Sequence, residues 1–394
     1  MLLTLPLSVA FVGGLIHPVI AAFLEAGHSE PLSINVTKRV TGRPHHMNGT
    51  ETIDFGSVGS HIRSIKNKYA RNRANIDAYR GVSKRAATSV IPLKDIAEGS
   101  YWSGVVKIGG KSQRVDFDTG SGNILLDADA YIPSSTAINT HKRFFNGYGI
   151  SSNEDTFEGY IYLDTFSSGK LKLSNVSIGR IETDDEVVTS ADGIVGLAYP
   201  PLNTFGKDNP PLFDLLMEQK KLPANKFGFA LSAGSPGGTL DLGGYDKSKY
   251  TGTITYHPVQ TKTFWQLEGT INGQHFNSIV DSGTTMILGP VRQVTSFFEK
   301  MKEVEVITHQ EESMTLGFYE CDKSPKVTLK FGKATVVLSP EATQFGKTED
   351  GRCVMSIVGT EIGQDAWITG DPIFLSSYVA FNRDKDAVGF AKRK

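Results

Sequence analysis

The chain has 394 residues, 39% of them hydrophobic, which is ample for one large core or two lobes. Its 41 glycines and only 21% charged residues suit a β-rich protein with many turns, and its two cysteines, with no histidine pair nearby at ligand spacing, exclude a zinc site built on them. The formal net charge of −1 conceals a division at Arg85: residues 1–85 hold 11 basic and 5 acidic side chains, a net +6, and the remainder holds 30 basic and 37 acidic, a net −7.

Leu2–Ala22 is an uncharged apolar run. It is long enough to span a bilayer, but its position at the N-terminus and its small-residue end, Ala21-Ala22, read as a cleaved signal peptide. No second apolar run of that length follows, and Ala391–Lys394 is no lipid-anchor tail, so the expected mature form carries no membrane anchor. The leader directs the chain out of the cytosol: it is expected to be secreted, with a vacuole as the alternative destination.

Residues 23–85 read as a propeptide. Ile62, Ile65, Tyr69, Ile76 and Tyr79 recur at near-helical spacing and predict a helix over Ser60–Arg80. Lys84-Arg85, just before Ala86-Ala87, is a dibasic pair of the kind that processing proteases cut. A basic segment of this sort also suits nucleic acid, but a secreted chain argues against such partners. The reading adopted is an intramolecular inhibitor, held to an acidic body near neutral pH and loosened as carboxylates protonate. Asn35, Asn48 and Asn175 each begin an N-glycosylation sequon, and only Asn175 lies beyond the dibasic pair.

Beyond Arg85 the apolar pattern is short and alternating, as in Val105–Ile108, Tyr160–Leu163 and Val327–Lys330, and predicts an all-β protein with few helices. One motif occurs twice. Val115–Gly122 reads V-D-F-D-T-G-S-G and Ile279–Thr285 reads I-V-D-S-G-T-T, with Asp118 and Asp281 163 residues apart. Alone, such a triplet reads as a strand entering a turn. Each copy, however, is followed by a β-branched pair before glycine: Ile194-Val195-Gly196 in the first, Ile368-Thr369-Gly370 in the second. The repeated order reads as an internal duplication that gives each lobe one carboxylate. Two carboxylates brought face to face cannot both ionise freely, so one is pushed toward acid and the other toward base.

These residues resemble the pepsin-like aspartic proteases, from about Val90 to Lys394. Leu240–Val259 looks like that family's stretch joining the lobes. Pro211–Leu216 followed by Phe227–Leu231 looks like its helix-then-strand, and Trp367–Ala391 is similar to its C-terminal segment. Asp116, two residues before Asp118, is closest to fungal-type members. The resemblance implies a bilobed all-β fold with the active site between the lobes: residues 86–255 form the first lobe and 256–394 the second, after a leader over 1–22 and a propeptide over 23–85. It implies hydrolysis of peptide bonds in protein or peptide substrates at acidic pH, by a water held between Asp118 and Asp281, and inhibition by statine-type peptides.

No metal and no cofactor is needed, because the shared proton supplies the acid. Gly120 and Gly283 are expected to let the backbone bend beside each carboxylate. By resemblance, Thr119 and Ser282 brace the pair across the lobes, and Ser121 and Thr284 donate to the outer carboxylate oxygens. Substrate is expected to meet Asp116, Ile194 and the flap residue Tyr148, with Phe157 and Tyr160 as rival flap aromatics. Cys321 and Cys353 are expected to form a disulfide, which matches a family position, and the enzyme is expected to be a monomer. The sequence departs from the family at Gly122, where serine is usual, at Leu125, where a tryptophan often supports the flap, at Ile150-Ser151 in the flap, and at Asp185 in place of a pocket aromatic. The alternatives are a non-catalytic binding or inhibitor protein on the same fold, which usually lacks one Asp or its glycine, and a β-rich carbohydrate-binding protein, which leaves the duplicated motif unexplained.

Overall fold

The computed structural model describes residues 45–47, 50–52, 62, 65, 66, 68, 69, 89–96, 101–147, 156–182, 191–232, 237–309, 314–363 and 366–394. The leader, Lys84-Arg85, Asn35, Asn48, Tyr148 and Asp185 lie outside them. Ile62, Ile65, Lys66, Lys68 and Tyr69 are helical, within the predicted helix; its members Ile76 and Tyr79 also lie outside the described residues. Among the described residues no helix is long and apolar enough to cross a membrane.

Two large sheets carry the fold, which is all-β and bilobed. Among the described residues the larger has 13 strands. At its centre Lys111–Asp118 lies beside Gly193–Gly196, followed by Ile124–Leu126, Leu171–Ile181, Thr156–Ser168 and Ile138–Gly147; on the other side lie Tyr101–Ile108, Ser89–Ile96, Gly238–Leu242 and Lys226–Leu231. This sheet also takes in Tyr378–Asn382 and Ala387–Arg393 from the end of the chain, with Tyr250–Pro258 at its edge. The second sheet has 10 strands among the described residues, with Gln274–Val280, Trp367–Thr369, Ile287–Gly289 and Cys353–Thr360 at its heart.

The duplication is visible in the pairing. Lys111–Asp118 runs parallel to Gly193–Gly196, which pairs antiparallel with Ile124–Leu126. Gln274–Val280 likewise runs parallel to Trp367–Thr369, which pairs antiparallel with Ile287–Gly289. Gly196 donates its N–H to the Asn123 carbonyl at 2.8 Å and Gly370 donates to the Met286 carbonyl at 3.1 Å. A Cβ on Gly196 would stand 2.5 Å from the Ser121 carbonyl oxygen, and one on Gly370 1.9 Å from that of Thr284, so both positions of the repeated pattern need glycine for close backbone approach.

The lobes meet through aromatic packing. Trp265, fully buried, lies 4.4 Å from Tyr199 and 5.0 Å from Phe381 between ring centroids, and its indole N–H donates to the Leu197 carbonyl at 3.1 Å. Phe227 stacks on Phe381 at 4.7 Å. The predicted helix-then-strand forms as Leu212–Glu218 and Lys226–Leu231. The strand predicted at Val327–Lys330 begins one residue later, as Thr328–Phe331. Cys321 and Cys353 are bonded, with Cα atoms 5.0 Å apart, closing 32 residues of the second lobe; such a loop stabilises by roughly 3 kcal/mol in the chain-entropy model. Asn175 is exposed in Leu171–Ile181, with φ 56°.

Candidate active site

The strand Lys111–Asp118 starts exposed and ends fully buried, so it delivers Asp118 from the surface into the lobe junction. Asp281 follows Gln274–Val280 in the same way. Both are buried, with 1% and 0% exposure. Their turns are tied reciprocally: the Thr119 amide donates to Ser282 Oγ at 3.1 Å, and the Ser282 amide donates to Thr119 Oγ1 at 2.9 Å. Thr119 Oγ1 then donates to the Val280 carbonyl at 3.0 Å and Ser282 Oγ to the Phe117 carbonyl at 2.7 Å. Four hydrogen bonds between residues distant in sequence therefore fix how far apart the two carboxyls can sit.

Gly120 and Gly283 lie in turns beside the carboxylates, as expected, but the bend is not what requires glycine there. Neither Gly120 nor Gly283 has a positive φ. Instead, a Cβ on Gly283 would lie 2.5 Å from Asp118 Oδ1, and one on Gly120 2.7 Å from Asp281 Oδ1. Each glycine makes room for the carboxyl of the opposite lobe. Each also donates its N–H to its own Asp, at 2.8 Å for Gly120 and 3.0 Å for Gly283. Thr284 Oγ1 donates to Asp281 Oδ2 at 2.6 Å, as expected. The mirror contact is not made: Ser121 Oγ is buried with no hydrogen-bond partner among the described residues.

Two residues missed from the sequence complete the site. Lys68 Nζ reaches Asp118 Oδ1 at 2.7 Å and Asp281 at 2.8 and 3.1 Å. Tyr69 donates its hydroxyl to Asp281 Oδ2 at 2.9 Å and stacks on Phe264 at 5.2 Å. Ile62, Ile65 and Tyr69 are buried in a cluster with Ala198, Leu202, Phe264, Ile279 and Met286. The signal was present: Lys68 stands three residues after Ile65, hence on the same helical face, where a charge requires a partner.

Burial opposes the Lys68 charge, but the two carboxylates outweigh it and raise its pKa above the ordinary lysine value. Burial and the Asp281 charge push Asp118 up to about 6, although Lys68 pulls the other way. Burial works against Asp281 too, yet Lys68 and hydrogen bonds from Asp118, Lys68 and Thr284 hold it well below the usual carboxylate range. More donors are aimed at Asp281 than at Asp118, which favours negative charge on Asp281.

The remaining predicted residues fall around this centre. Asp116 is buried and pairs with Ile194 across the parallel strands. The hairpin of Ile138–Gly147 and Thr156–Ser168 carries Phe157 and Tyr160 in its stem, so neither stands at the tip. Phe157 packs with Phe144, Leu125, Ile161, Ile181 and Phe205, and Tyr160 lies under the Arg143 guanidinium at 5.7 Å. Leu125 thus serves an apolar cluster beneath the hairpin. Gly122 has a steric cause: a Cβ there would stand 2.8 Å from the Leu202 carbonyl carbon and 2.9 Å from the Asn203 nitrogen, so serine does not fit.

Comparison with known proteins agrees with this geometry. The family described as eukaryotic aspartyl protease matches residues 101–393. Secreted aspartyl protease 1 of Malassezia globosa is 31% identical over 92% of this chain and 93% of its own length. An aspartic protease of Phaffia rhodozyma is 28% identical over 98% of this chain and 97% of its own. Cathepsin D of Homo sapiens is 31% identical over 76% of this chain and 82% of its own. Among solved structures, that of the aspartic proteinase from Irpex lacteus is alike in fold, with a TM-score of 0.67 at 21% identity, covering 78% of this chain and 98% of that one. The duplicated strands had given each lobe one buried carboxyl, and the match over residues 101–393 extends to both: the chain belongs to the eukaryotic aspartyl protease family and is an aspartic-type endopeptidase.

Proposed function

We propose that the chain is the precursor of an acid-acting endopeptidase in which Asp118 and Asp281 activate water and residues 23–85 hold the enzyme latent. One observation carries the reading: Lys68 bridges both carboxyls where a substrate peptide would have to react. With the basic segment gone, a water takes the place of Nζ. The ionised carboxyl accepts its proton while the protonated one donates to the scissile carbonyl oxygen, and a tetrahedral intermediate forms without covalent attachment. The Thr284 hydroxyl, which has no counterpart at Asp118, favours Asp281 as the base and leaves Asp118 as the acid, although the pair titrates as a unit. Protein or peptide chains are the substrates and statine-type peptides the expected inhibitors. The product is a secreted, monomeric enzyme, with a vacuole as the other destination.

The pH dependence of latency follows from sign. Lys68 lowers the pKa of Asp118, so its docking is linked to proton loss and tightens as pH rises. Above about 6 the dyad faces Lys68 with two negative charges, and below it with one. The grip therefore loosens as pH falls through that value, and again when Asp281 protonates in stronger acid.

The test is hydrolysis of denatured protein at low pH. Asp118→Asn and Asp281→Asn should each lose activity by about a thousandfold or more with circular dichroism unchanged, and the parent should be inhibited by a statine peptide. Either single variant keeping more than a few per cent of parental activity overturns the dyad. N-terminal sequencing of the active form should begin at Ala86 or nearby; a start within residues 23–60 overturns the processing site.

A further inference from the structure

Asn175 stands at a break in the strand pairing of the larger sheet. Asp164 lies opposite Val176 and Phe166 opposite Leu173, so Ser174 and Asn175 together face Thr165 alone, a β-bulge on Leu171–Ile181. Asn175 takes a φ of 56°, which asparagine tolerates better than most residues. It is exposed, and its carboxamide forms no hydrogen bond among the described residues. A group attached to that carboxamide displaces no contact of the fold.

The rest of the sequon is placed differently. Val176 is 1% exposed and Ser177 5%, and Ser177 Oγ donates to Asn209 Oδ1 at 3.3 Å. Pairing holds both against the neighbouring strand, with Ser177 opposite Leu163. An enzyme that glycosylates a sequon has to reach the asparagine carboxamide and the hydroxyl two residues on. The folded strand offers the first and buries the second. The exposed carboxamide thus says where a glycan can remain, and the buried hydroxyl says when it can be attached.

We propose that Asn175 carries an N-linked glycan, attached before Leu171–Ile181 pairs with Thr156–Ser168. The inference rests on the secreted reading above, because the donor it requires is a lipid-diphosphate-linked oligosaccharide met outside the cytosol. In the transfer the carboxamide nitrogen attacks the anomeric carbon of that donor. A C–N bond forms and the C–O bond to the diphosphate breaks. The lipid diphosphate leaves with the bonding pair, and the proton lost from nitrogen passes to a base of the transferase. Once the strand has paired, the Ser177 hydroxyl serves Asn209 and the glycan projects from the bulge. Thr156, opposite Gly147 in the hairpin, is nine residues along its strand from Thr165. At the ordinary strand rise that is about 30 Å, so the sugar stands clear of that end of the hairpin.

The experiment starts from processed enzyme made as the full chain in a eukaryotic host; beyond Arg85 it holds Asn175 as its one sequon. Peptide-N-glycosidase in heavy-oxygen water should turn Asn175 into a labelled carboxylate, read by peptide mass spectrometry, and should raise mobility on a gel. Asn175→Gly, which keeps the left-handed φ, and Ser177→Ala should each abolish both signals. The order is tested with detergent-solubilised oligosaccharyltransferase and its lipid-linked donor. A synthetic peptide spanning Leu171–Ile181 should be modified, whereas folded chain purified from bacteria should not be modified at Asn175. A secreted enzyme with bare Asn175 overturns the glycan, and equal modification of folded chain and peptide overturns the order. A chain found only in the cytosol with its leader uncut overturns the secreted reading and this inference with it.

Discussion

The two half-sites are built alike and hydrogen-bonded differently. Each Asp ends a strand that runs parallel to a β-branched pair, each has a glycine two residues on, and each turn is tied to the other lobe. Beyond that the symmetry stops. Thr284 donates to Asp281 at 2.6 Å, whereas Ser121 donates to nothing among the described residues. Asp118 instead has Asp116 two residues before it, where the second lobe has Ile279. One carboxyl is thus set up to stay charged and the other to hold a proton. A duplicated scaffold supplies equivalent positions; unequal donors turn them into an acid and a base.

That comparison can be broken hardest at the glycines. Gly283→Ala places a methyl group 2.5 Å from Asp118 Oδ1, and Gly120→Ala places one 2.7 Å from Asp281 Oδ1. Each should lower kcat/KM by about a hundredfold, roughly 2.7 kcal/mol of transition-state stabilisation. Steady-state kinetics with a fluorogenic peptide would measure it. If one glycine tolerates alanine freely, the close cross-lobe approach on that side is not needed for the chemistry.

Lys68→Ala should come next, acting on both half-sites together. The unprocessed chain should gain at least about tenfold in peptide hydrolysis near pH 6, since one ammonium serves both carboxyls. The parental precursor should lose latency as pH falls through about 6. A Lys68→Ala precursor as silent as its parent would mean that something other than this ion pair closes the site.

The smallest effects test the asymmetry directly. Thr284→Val removes a donor from the charged carboxyl, which makes ionisation harder and raises its pKa. The acid limb should move to higher pH by about half a unit to one unit. Ser121→Ala should leave both limbs in place, because its hydroxyl donates to neither carboxyl. Equal shifts from the two variants would remove the distinction between the half-sites.

Much of this was legible in the sequence because it is local. The Asp turns and the β-branched pairs before Gly196 and Gly370 each follow from a few neighbouring residues, whereas the helix Leu212–Glu218 was expected from the family resemblance. What escaped depends on contacts between distant residues. Lys68 lies 50 residues from Asp118 and 213 from Asp281, so it read only as one charge among several on a helix. The glycines were understood as bends because the carboxyl from the other lobe, their actual neighbour, is invisible in sequence. Gly122 looked like a departure until Leu202 and Asn203 were found packed against it. The missing Ser121 contact shows the limit of inferring hydrogen bonds from symmetry, since hydroxyls placed alike in a motif need not point alike.

The strands at the end of the chain have a consequence for biosynthesis. Tyr378–Asn382 pairs with Lys226–Leu231, placing Val379 opposite Phe229, and Ala387–Arg393 pairs with Tyr250–Pro258. The larger sheet therefore waits for residues more than a hundred positions further along the chain than Lys226–Leu231 and Tyr250–Pro258. A growing chain can fold many of the earlier strands, but Lys226–Leu231 and Tyr250–Pro258 each keep an open edge until Tyr378–Asn382 and Ala387–Arg393 have been made. Ordering the assembly this way leaves the larger sheet incomplete until residues 378–393 are made, so the junction of the lobes is finished only after Lys68 and Tyr69, which bond to its carboxyls, have long been in place.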